Sequence, residues 1–160
     1  MTKHTPAHGH TNYDTKRSAL QNQCFACGKD NADGMQLEFF LDVEAHKAVC
    51  EFNLGPRYQG PPGHAHGGII ATILDEAMGK VNKLRNVLAL TKSMNVEYKR
   101  PVPLNQKLTV TGHEQQVNGR EHTNIAEITN EKGDVLARSI GVFVAIDITK
   151  KFAGFMQVGS

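Results

Sequence analysis

A histidine followed by two glycines, His66-Gly67-Gly68, stands directly before an apolar segment with helical spacing. The first N–H groups of a helix have no acceptors within the helix, and the helix dipole adds partial positive charge at the same end. Glycine at this place lets a ligand approach the backbone closely. Such a helix start can bind an anion, or the oxyanion that develops during acyl transfer. The two glycines also suit tight packing of a helix on a sheet, so both interpretations stay open.

A carboxylate, Asp75, interrupts the apolar part of the same segment. There it either faces solvent or is held in a site, where a carboxylate serves as general base or as nucleophile. The residue pattern leaves these alternatives open. The neighbouring Glu76 precedes Lys80 at the i,i+4 spacing that is typical of a surface ion pair. We therefore expect Glu76 to be the solvent-facing carboxylate of the two.

The helix start and the carboxylate are far apart on one helix. His66 and Asp75 are nine residues apart, which corresponds to ~13 Å along the axis and about two and a half turns. They therefore lie on opposite sides of the helix and cannot easily meet around one carbonyl group. If both are catalytic, each site takes one of them from each of two subunits across a twofold axis. Joint use of both groups thus predicts a homodimer.

The elements that must position these groups follow from hydrophobic periodicity. Helical spacing of apolar residues predicts one helix from about His66 to about Leu84. Period-two alternation predicts strands before and after it, and tight turns between the late strands require antiparallel pairing. The fold class is α+β, an antiparallel sheet of about six strands wrapped around one long central helix. The predicted strands are Met35–Val43, Ala48–Leu54, Leu88–Tyr98, Lys107–Val117, Thr123–Thr129 and Val135–Ile146.

The strand that follows the helix carries a further candidate, Thr91. Simple alternation places Thr91 on one face together with Ser93 and Asn95. Alternation alone does not decide which face meets the helix. The opposite face would hold Leu88, Leu90, Met94, Val96 and Tyr98.

Composition excludes several classes of protein. The chain has 160 residues, of which 39% are hydrophobic, and a formal net charge of +2. The length and the residue pattern favour one domain at residues 20–150, with a flexible N-terminal segment 1–19 and a C-terminal tail 151–160. The small charge excess argues against a nucleic-acid partner, and no apolar run approaches the ~20 residues of a membrane span. No secretory signal is recognised, so we expect a cytoplasmic protein with reduced cysteines.

The cysteines raise the question of a metal. Cys24 and Cys27 have the spacing of half a zinc knuckle, whereas Cys50 stands at a core position of its strand. A closed structural site needs four ligands. Two cysteine pairs from two subunits could together complete one, and histidines could contribute, but one chain offers only half of such a site. We therefore expect no metal and no other cofactor.

Several motifs resemble those of one known family. The segment Tyr58–Asp75, continued by Glu76-Ala77-Met78-Gly79, resembles the signature of hotdog-fold acyl-CoA thioesterases of the phenylacetate-degradation (PaaI-type) branch. The opening Cys24-Phe25-Ala26-Cys27-Gly28 is similar to that of many members of this branch. The segments Tyr98–Val102 and Gly133–Val144 are similar as well. The resemblance implies a hotdog fold, hydrolysis of an acyl-CoA thioester, and a homodimer or homotetramer with active sites shared between subunits.

The resemblance also implies catalytic roles for individual residues. The backbone N–H of Gly67 would polarise the thioester carbonyl, and His66 would help to shape that site. Asp75 of the partner subunit would act as general base on water, or as nucleophile through a mixed anhydride. Thr91 would orient the water or the carboxylate.

Four further residues are implied in substrate binding. Gln59 stands where relatives often carry an asparagine that orients the acyl group, but here a Pro-Pro-Gly loop follows it. Gly68 is the second of the two glycines that open the helix. Lys99 and Arg100 could meet the phosphates of coenzyme A. These two cations equally suit an exposed strand end, so their role stays open.

Two other functions remain alternatives. A dehydratase or hydratase of the same superfamily would use a histidine and an acid as proton-transfer groups. The spacing of His66 and Asp75 on one helix suits that chemistry poorly. The second alternative is a non-enzymatic acyl-CoA-binding module, although no separate DNA-binding segment points to a regulator.

Overall fold

The computed structural model describes residues 21–147, so the predicted segment 1–19 and tail 151–160 lie outside the described residues. Within 21–147 the chain forms six strands, one long helix and a short 3-10 helix, in the predicted order of strands and helix. None of the helices in this range has the length and apolar character needed to cross a membrane. The elements are β1 (Phe40–Asp42), β2 (Lys47–Asn53), the 3-10 helix Pro56–Tyr58, α1 (Gly67–Lys83), β3 (Ala89–Tyr98), β4 (Lys107–Asn118), β5 (Glu121–Thr129) and β6 (Val135–Ala145).

The strands form one antiparallel sheet with the order β1-β2-β4-β5-β6-β3. The apolar side of α1 packs on one face of this sheet, which confirms the predicted α+β fold. β3 directly follows the helix yet lies at the sheet edge, paired only with β6 among the described strands. The buried residues of the helix are Ile70, Ile73, Leu74, Ala77, Met78, Val81 and Asn82.

The first predicted strand is only partly formed. Alternation predicts a strand over Met35–Val43, but the ladder with β2 covers only Phe40–Asp42. The backbone N–H groups of Met35 and Leu37 instead donate to Phe25 and Ala26. Gln36 between them has a positive φ of 51°, which interrupts regular strand geometry. The segment before β1 is therefore hydrogen-bonded to the turn Cys24–Cys27, which we call the cysteine loop, and not to the sheet.

A bulge in β3 shows that the predicted grouping of Thr91 with Ser93 and Asn95 on one face is wrong. Thr91 is opposite Phe143 of β6, whereas Ser93 is opposite Val142, so the register shifts at Lys92. An extra residue in one strand reverses the alternation beyond it. Thr91 and Ser93 consequently lie on opposite faces, and Thr91 shares the helix-facing side with Met94, Val96 and Tyr98. Leu90, by contrast, lies on the outer face.

Close approach of helix and sheet depends on Gly112 in β4. A Cβ atom at Gly112 would lie 2.6 Å from the carbonyl oxygen of Ala77 in α1, a backbone atom that cannot rotate away. We expect Gly112→Ala to lower the free energy of unfolding by about 1–3 kcal/mol, the usual cost of overpacking. Gly55→Ala is the matched control, since Gly55 has φ of −83° and open space around it. Urea denaturation measures both, and equal midpoints for the two variants would contradict this account.

Candidate active site

The start of α1 presents one free backbone donor. His66 is the N-cap, and its Nδ1 accepts a hydrogen bond from the N–H of Gly68 at 2.9 Å. The N–H groups of Ile69 and Ile70 donate to the carbonyl oxygen of His66. The N–H of Gly67 has no acceptor among residues 21–147. Because Nδ1 accepts, the proton of the neutral imidazole lies on Nε2.

This arrangement corrects the expected role of Gly68. Gly68 was expected to bind substrate, but its N–H is occupied by His66, so Gly67 has the one open amide at the helix start among residues 21–147. A side chain at position 68 would also crowd the His66 ring, because a Cβ there would lie 3.2 Å from Nδ1. Gly68 thus supports the histidine cap and gives it room.

Tyr98 is a part of this site that the sequence analysis missed. Its hydroxyl donates to the carbonyl oxygen of Gly67 at 2.9 Å, which ties the last residue of β3 to the first residue of α1. The only signal in the sequence was a tyrosine at the end of an apolar strand face, whose hydroxyl needs a partner. We call His66, Gly67 and Tyr98 the amide half-site.

The second part of the site surrounds Asp75. Thr91 donates a hydrogen bond of 2.8 Å from Oγ1 to Oδ1 of Asp75, within one chain. Burial raises the pKa of the half-buried Asp75 and Glu76 raises it further, while the Thr91 hydrogen bond lowers it; the net direction is upward. A carboxylate with a raised pKa is a stronger base. We call Asp75 and Thr91 the carboxylate half-site.

The two half-sites are separated within the chain. Gly67 and Asp75 are eight residues apart on α1, or ~12 Å along the helix axis. Their partners Tyr98 and Thr91 stand near opposite ends of β3. One chain therefore displays both halves, but on different parts of its surface.

The side chains of the remaining predicted substrate-binding residues form no hydrogen bond or ion pair with either half-site among residues 21–147. Gln59 is exposed, and its Oε1 accepts from the N–H of Gly63 at 3.4 Å, across its own loop. The exposed cations make ion pairs nearby, Lys99 with Glu97 at 3.8 Å and Arg100 with Asp134 at 3.4 Å. Exposed pairs of this kind contribute little to stability, so the cations stay available to an anionic ligand.

Cys27 and Cys50 do not resemble catalytic nucleophiles. Burial, followed by the charge of Glu76, raises the pKa of Cys27 to about 12, which keeps the thiol protonated at neutral pH. Cys50 is buried in the core, as predicted, and burial raises its pKa to about 11. The expected Glu76–Lys80 ion pair is present at 3.3 Å. It is not a surface pair, because the two side chains are only 19% and 13% exposed.

Known proteins that are similar to this chain are described as thioesterases. Residues 62–137 match the family model described as Thioesterase superfamily. The acyl-coenzyme A thioesterase THEM4 of Bos taurus is 29% identical over 133 residues, which cover 81% of this chain and 54% of that protein. The chain spans about half the length of the curated relatives of this kind that it matches.

Solved structures establish the class of fold. The thioesterase superfamily protein RHA08564 superposes with a TM-score of 0.70 at 33% identity, over 73% of this chain and 60% of that one. The PaaI protein of the E. coli phenylacetic acid degradation operon has a TM-score of 0.65 at 18% identity, over 71% and 81% of the two chains. The fold of this chain is the hotdog fold of thioesterases.

Proposed function

We propose that this domain hydrolyses acyl-CoA thioesters to a free acid and coenzyme A. The observation that carries the proposal is the pair of half-sites. One holds a half-buried carboxylate that is oriented by a hydroxyl, and the other holds a single open amide at a helix start. The family match of residues 62–137 and the names of the similar proteins support the same chemistry.

Each half-site performs a different part of the hydrolysis. Asp75 takes a proton from water as the water oxygen attacks the thioester carbonyl carbon. The N–H of Gly67 binds the resulting oxyanion. Collapse of the tetrahedral intermediate breaks the C–S bond, and the proton held by Asp75 leaves with the thiolate of coenzyme A. A nucleophilic Asp75, which forms a mixed anhydride, is the alternative route that the same geometry supports.

The exposed edge of β3 supports assembly of the complete site from two chains. β3 is a ten-residue edge strand, and Leu90 and Tyr98 on it are 48% and 54% exposed. Long open edges are templates for pairing with another strand. Antiparallel self-pairing centred on Asn95, with Lys92 left as the extra residue of the bulge, would set Thr91 opposite the partner subunit's Tyr98. Each dimer would then contain two composite sites, each with one half-site from each chain.

The activity is tested by thiol release from a panel of acyl-CoAs with a chromogenic thiol reagent. Hydrolysis of at least one acyl-CoA, with saturation, is the expected result. Binding without thiol release would favour the acyl-CoA-binding alternative. Reversible hydration of an enoyl-CoA without thiol release would favour the dehydratase or hydratase.

Within the superfamily we place the chain in the PaaI-type branch, in a homodimer or dimer of dimers in the cytoplasm. The Cys24–Gly28 opening and the Asp75–Thr91 contact support the branch. Faster hydrolysis of aryl-acetyl-CoA than of long-chain acyl-CoA is the expected pattern. A strict preference for long chains would contradict the branch without contradicting hydrolysis itself.

Removal of the Thr91 hydroxyl has a smaller expected effect than removal of a catalytic base. Thr91→Ala should lower kcat by about 2- to 10-fold, because one orienting hydrogen bond contributes ~0.5–1.5 kcal/mol. Thr91→Ser should restore most of the rate. Ser93→Ala is the matched control, since the β3 bulge turns Ser93 to the opposite face. Equal rates for Thr91→Ala and the control would remove Thr91 from the site.

A further inference from the structure

A second cluster of reactive side chains lies beside the helix, outside the proposed active site. The turn Cys24–Cys27 is closed by a hydrogen bond from the N–H of Gly28 to the carbonyl oxygen of Cys24, and the intervening Ala26 is buried against the core. This packing places both thiols beside Glu76 of α1. Glu76 is 52 residues from Cys24 in the chain. The sulfur atoms of Cys24 and Cys27 and a carboxylate oxygen of Glu76 all lie within 4.8 Å of one another.

The spacing of these atoms suits a tetrahedral metal ion. Zn–S bonds of ~2.3 Å and Zn–O bonds of ~2.0 Å place ligand atoms ~3.5–3.8 Å apart in a tetrahedron. Cys24 Sγ and Glu76 Oε2 are 3.9 Å apart. Small side-chain rotations would bring the three ligand atoms to bonding distance, with a water molecule as the fourth ligand.

The charge balance of the cluster also suits a divalent ion. Two thiolates and one carboxylate around Zn²⁺ carry a net charge of −1. The ammonium group of Lys80 lies 3.2 Å from Cys27 Sγ and 3.3 Å from Glu76 Oε1, and it is mostly buried. Lys80 would therefore neutralise the loaded site from just outside the ligand shell.

We propose that Cys24, Cys27 and Glu76 form a three-ligand site, with a fourth position open to water, for a zinc-like divalent cation that joins the turn Cys24–Cys27 to α1. Two thiolates with one carboxylate favour Zn²⁺ over harder ions such as Mg²⁺. Metal binding releases the two thiol protons to solvent and changes no oxidation state. The sequence analysis expected no metal and considered only cysteines and histidines as partners of the pair. It missed Glu76, which the packing of the turn on the helix brings to the cysteines.

The test is titration of the reduced, full-length protein with Co²⁺ under anaerobic conditions. Thiolate ligands produce charge-transfer absorption in the near ultraviolet, and a tetrahedral site gives intense visible bands. Histidine binding elsewhere in the chain gives no thiolate band, so the signal reports on the cysteines. We expect saturation of that band at one Co²⁺ per chain and its loss when Zn²⁺ displaces the cobalt.

Three variants with matched controls locate the ion. Cys24→Ser and Cys27→Ser should abolish the thiolate band or weaken Co²⁺ binding more than 100-fold, and Glu76→Gln should weaken it more than 10-fold. Cys50→Ala and Glu44→Gln should bind like the native chain, because Cys50 is a core residue and Glu44 is exposed.

A second readout is independent of the spectrum and of enzyme activity. Zn²⁺ should raise the melting temperature of the native chain and of both controls, but not that of Cys27→Ser. Failure of the reduced native protein to develop the thiolate band would overturn the proposal. So would native-like Co²⁺ binding by Cys27→Ser and Glu76→Gln. Either failure would leave the proposed hydrolase function intact, since no step of hydrolysis uses this ion.

Discussion

Asp75→Asn is expected to lower kcat by ~10²–10⁴-fold on every acyl-CoA that the native protein accepts, the usual loss on removing a general base. The amide preserves the shape of the side chain and can still accept the hydrogen bond from Thr91. It removes only the ability to take a proton or to attack a carbonyl carbon. KM should change little, because the carboxylate acts mainly in the transition state.

The measurement is steady-state thiol release, with circular dichroism and denaturation to confirm that the variant folds. Asp33→Asn is the matched control, since Asp33 is an exposed carboxylate in the segment before β1. A native rate for Asp75→Asn would show that this residue is not catalytic. A similar loss in Asp33→Asn would point to a general effect on the fold.

A single turnover in ¹⁸O-labelled water separates the two roles open to Asp75. A general base delivers labelled oxygen directly to the product acid. A mixed anhydride that is hydrolysed at the aspartyl carbon instead leaves the label in the Asp75 carboxylate, where peptide mass spectrometry detects it. Label in the peptide would establish the nucleophilic route.

The helix and its start were predictable because local signals agree. Apolar spacing fixes the buried face of α1, and His66 caps it in the extended conformation that an N-cap requires. The observed helix Gly67–Lys83 therefore differs from the predicted span by only a residue at each end. The contact of Asp75 with Thr91 was also expected from the resemblance to thioesterases, but not from the alternation of β3.

What could not be predicted depends on packing between distant segments. The bulge at Lys92 follows from the register between β3 and β6, and no residue type near Lys92 predicts it. Without that bulge, Thr91 would face away from the helix and from Asp75. The meeting of Glu76 with the cysteine loop is likewise tertiary. Local periodicity therefore predicted the helix and most of the strands. The β3–β6 register and the packing of the turn Cys24–Cys27 on α1 decided which side chains meet.

The second large effect is recovery of activity on mixing two inactive chains. Gly67→Pro removes the one open amide of the helix start, and losing an oxyanion donor typically costs ~10²–10³-fold. Proline is well tolerated at the first position of a helix. The preceding His66 has φ of −63° and ψ of 138°, the conformation that a following proline favours. Gly67→Ala, which keeps the N–H, is the matched control and should remain active.

Mixed with Asp75→Asn under conditions of subunit exchange, Gly67→Pro should recover activity. In a shared site, each heterodimer combines the native Gly67 of one chain with the native Asp75 of the other in one of its two sites. Random exchange at equal amounts makes half of the dimers mixed, so about a quarter of the native activity per chain is expected. A site built within one chain predicts no recovery, because neither chain holds both groups.

A mixture of the native chain with a doubly substituted chain should lose activity on subunit exchange, where the first mixture gains it. Native chain mixed with the double variant Gly67→Pro/Asp75→Asn has about half of the native activity before exchange, whichever model holds. With shared sites, every site of the mixed dimers lacks one group, so exchange should lower the activity from about half to about a quarter. With sites within one chain, exchange should leave it at half. Subunit exchange is verified by native mass spectrometry of chains that differ in mass, and an unchanged activity in both mixtures would show that Gly67 and Asp75 do not act on one substrate across the dimer.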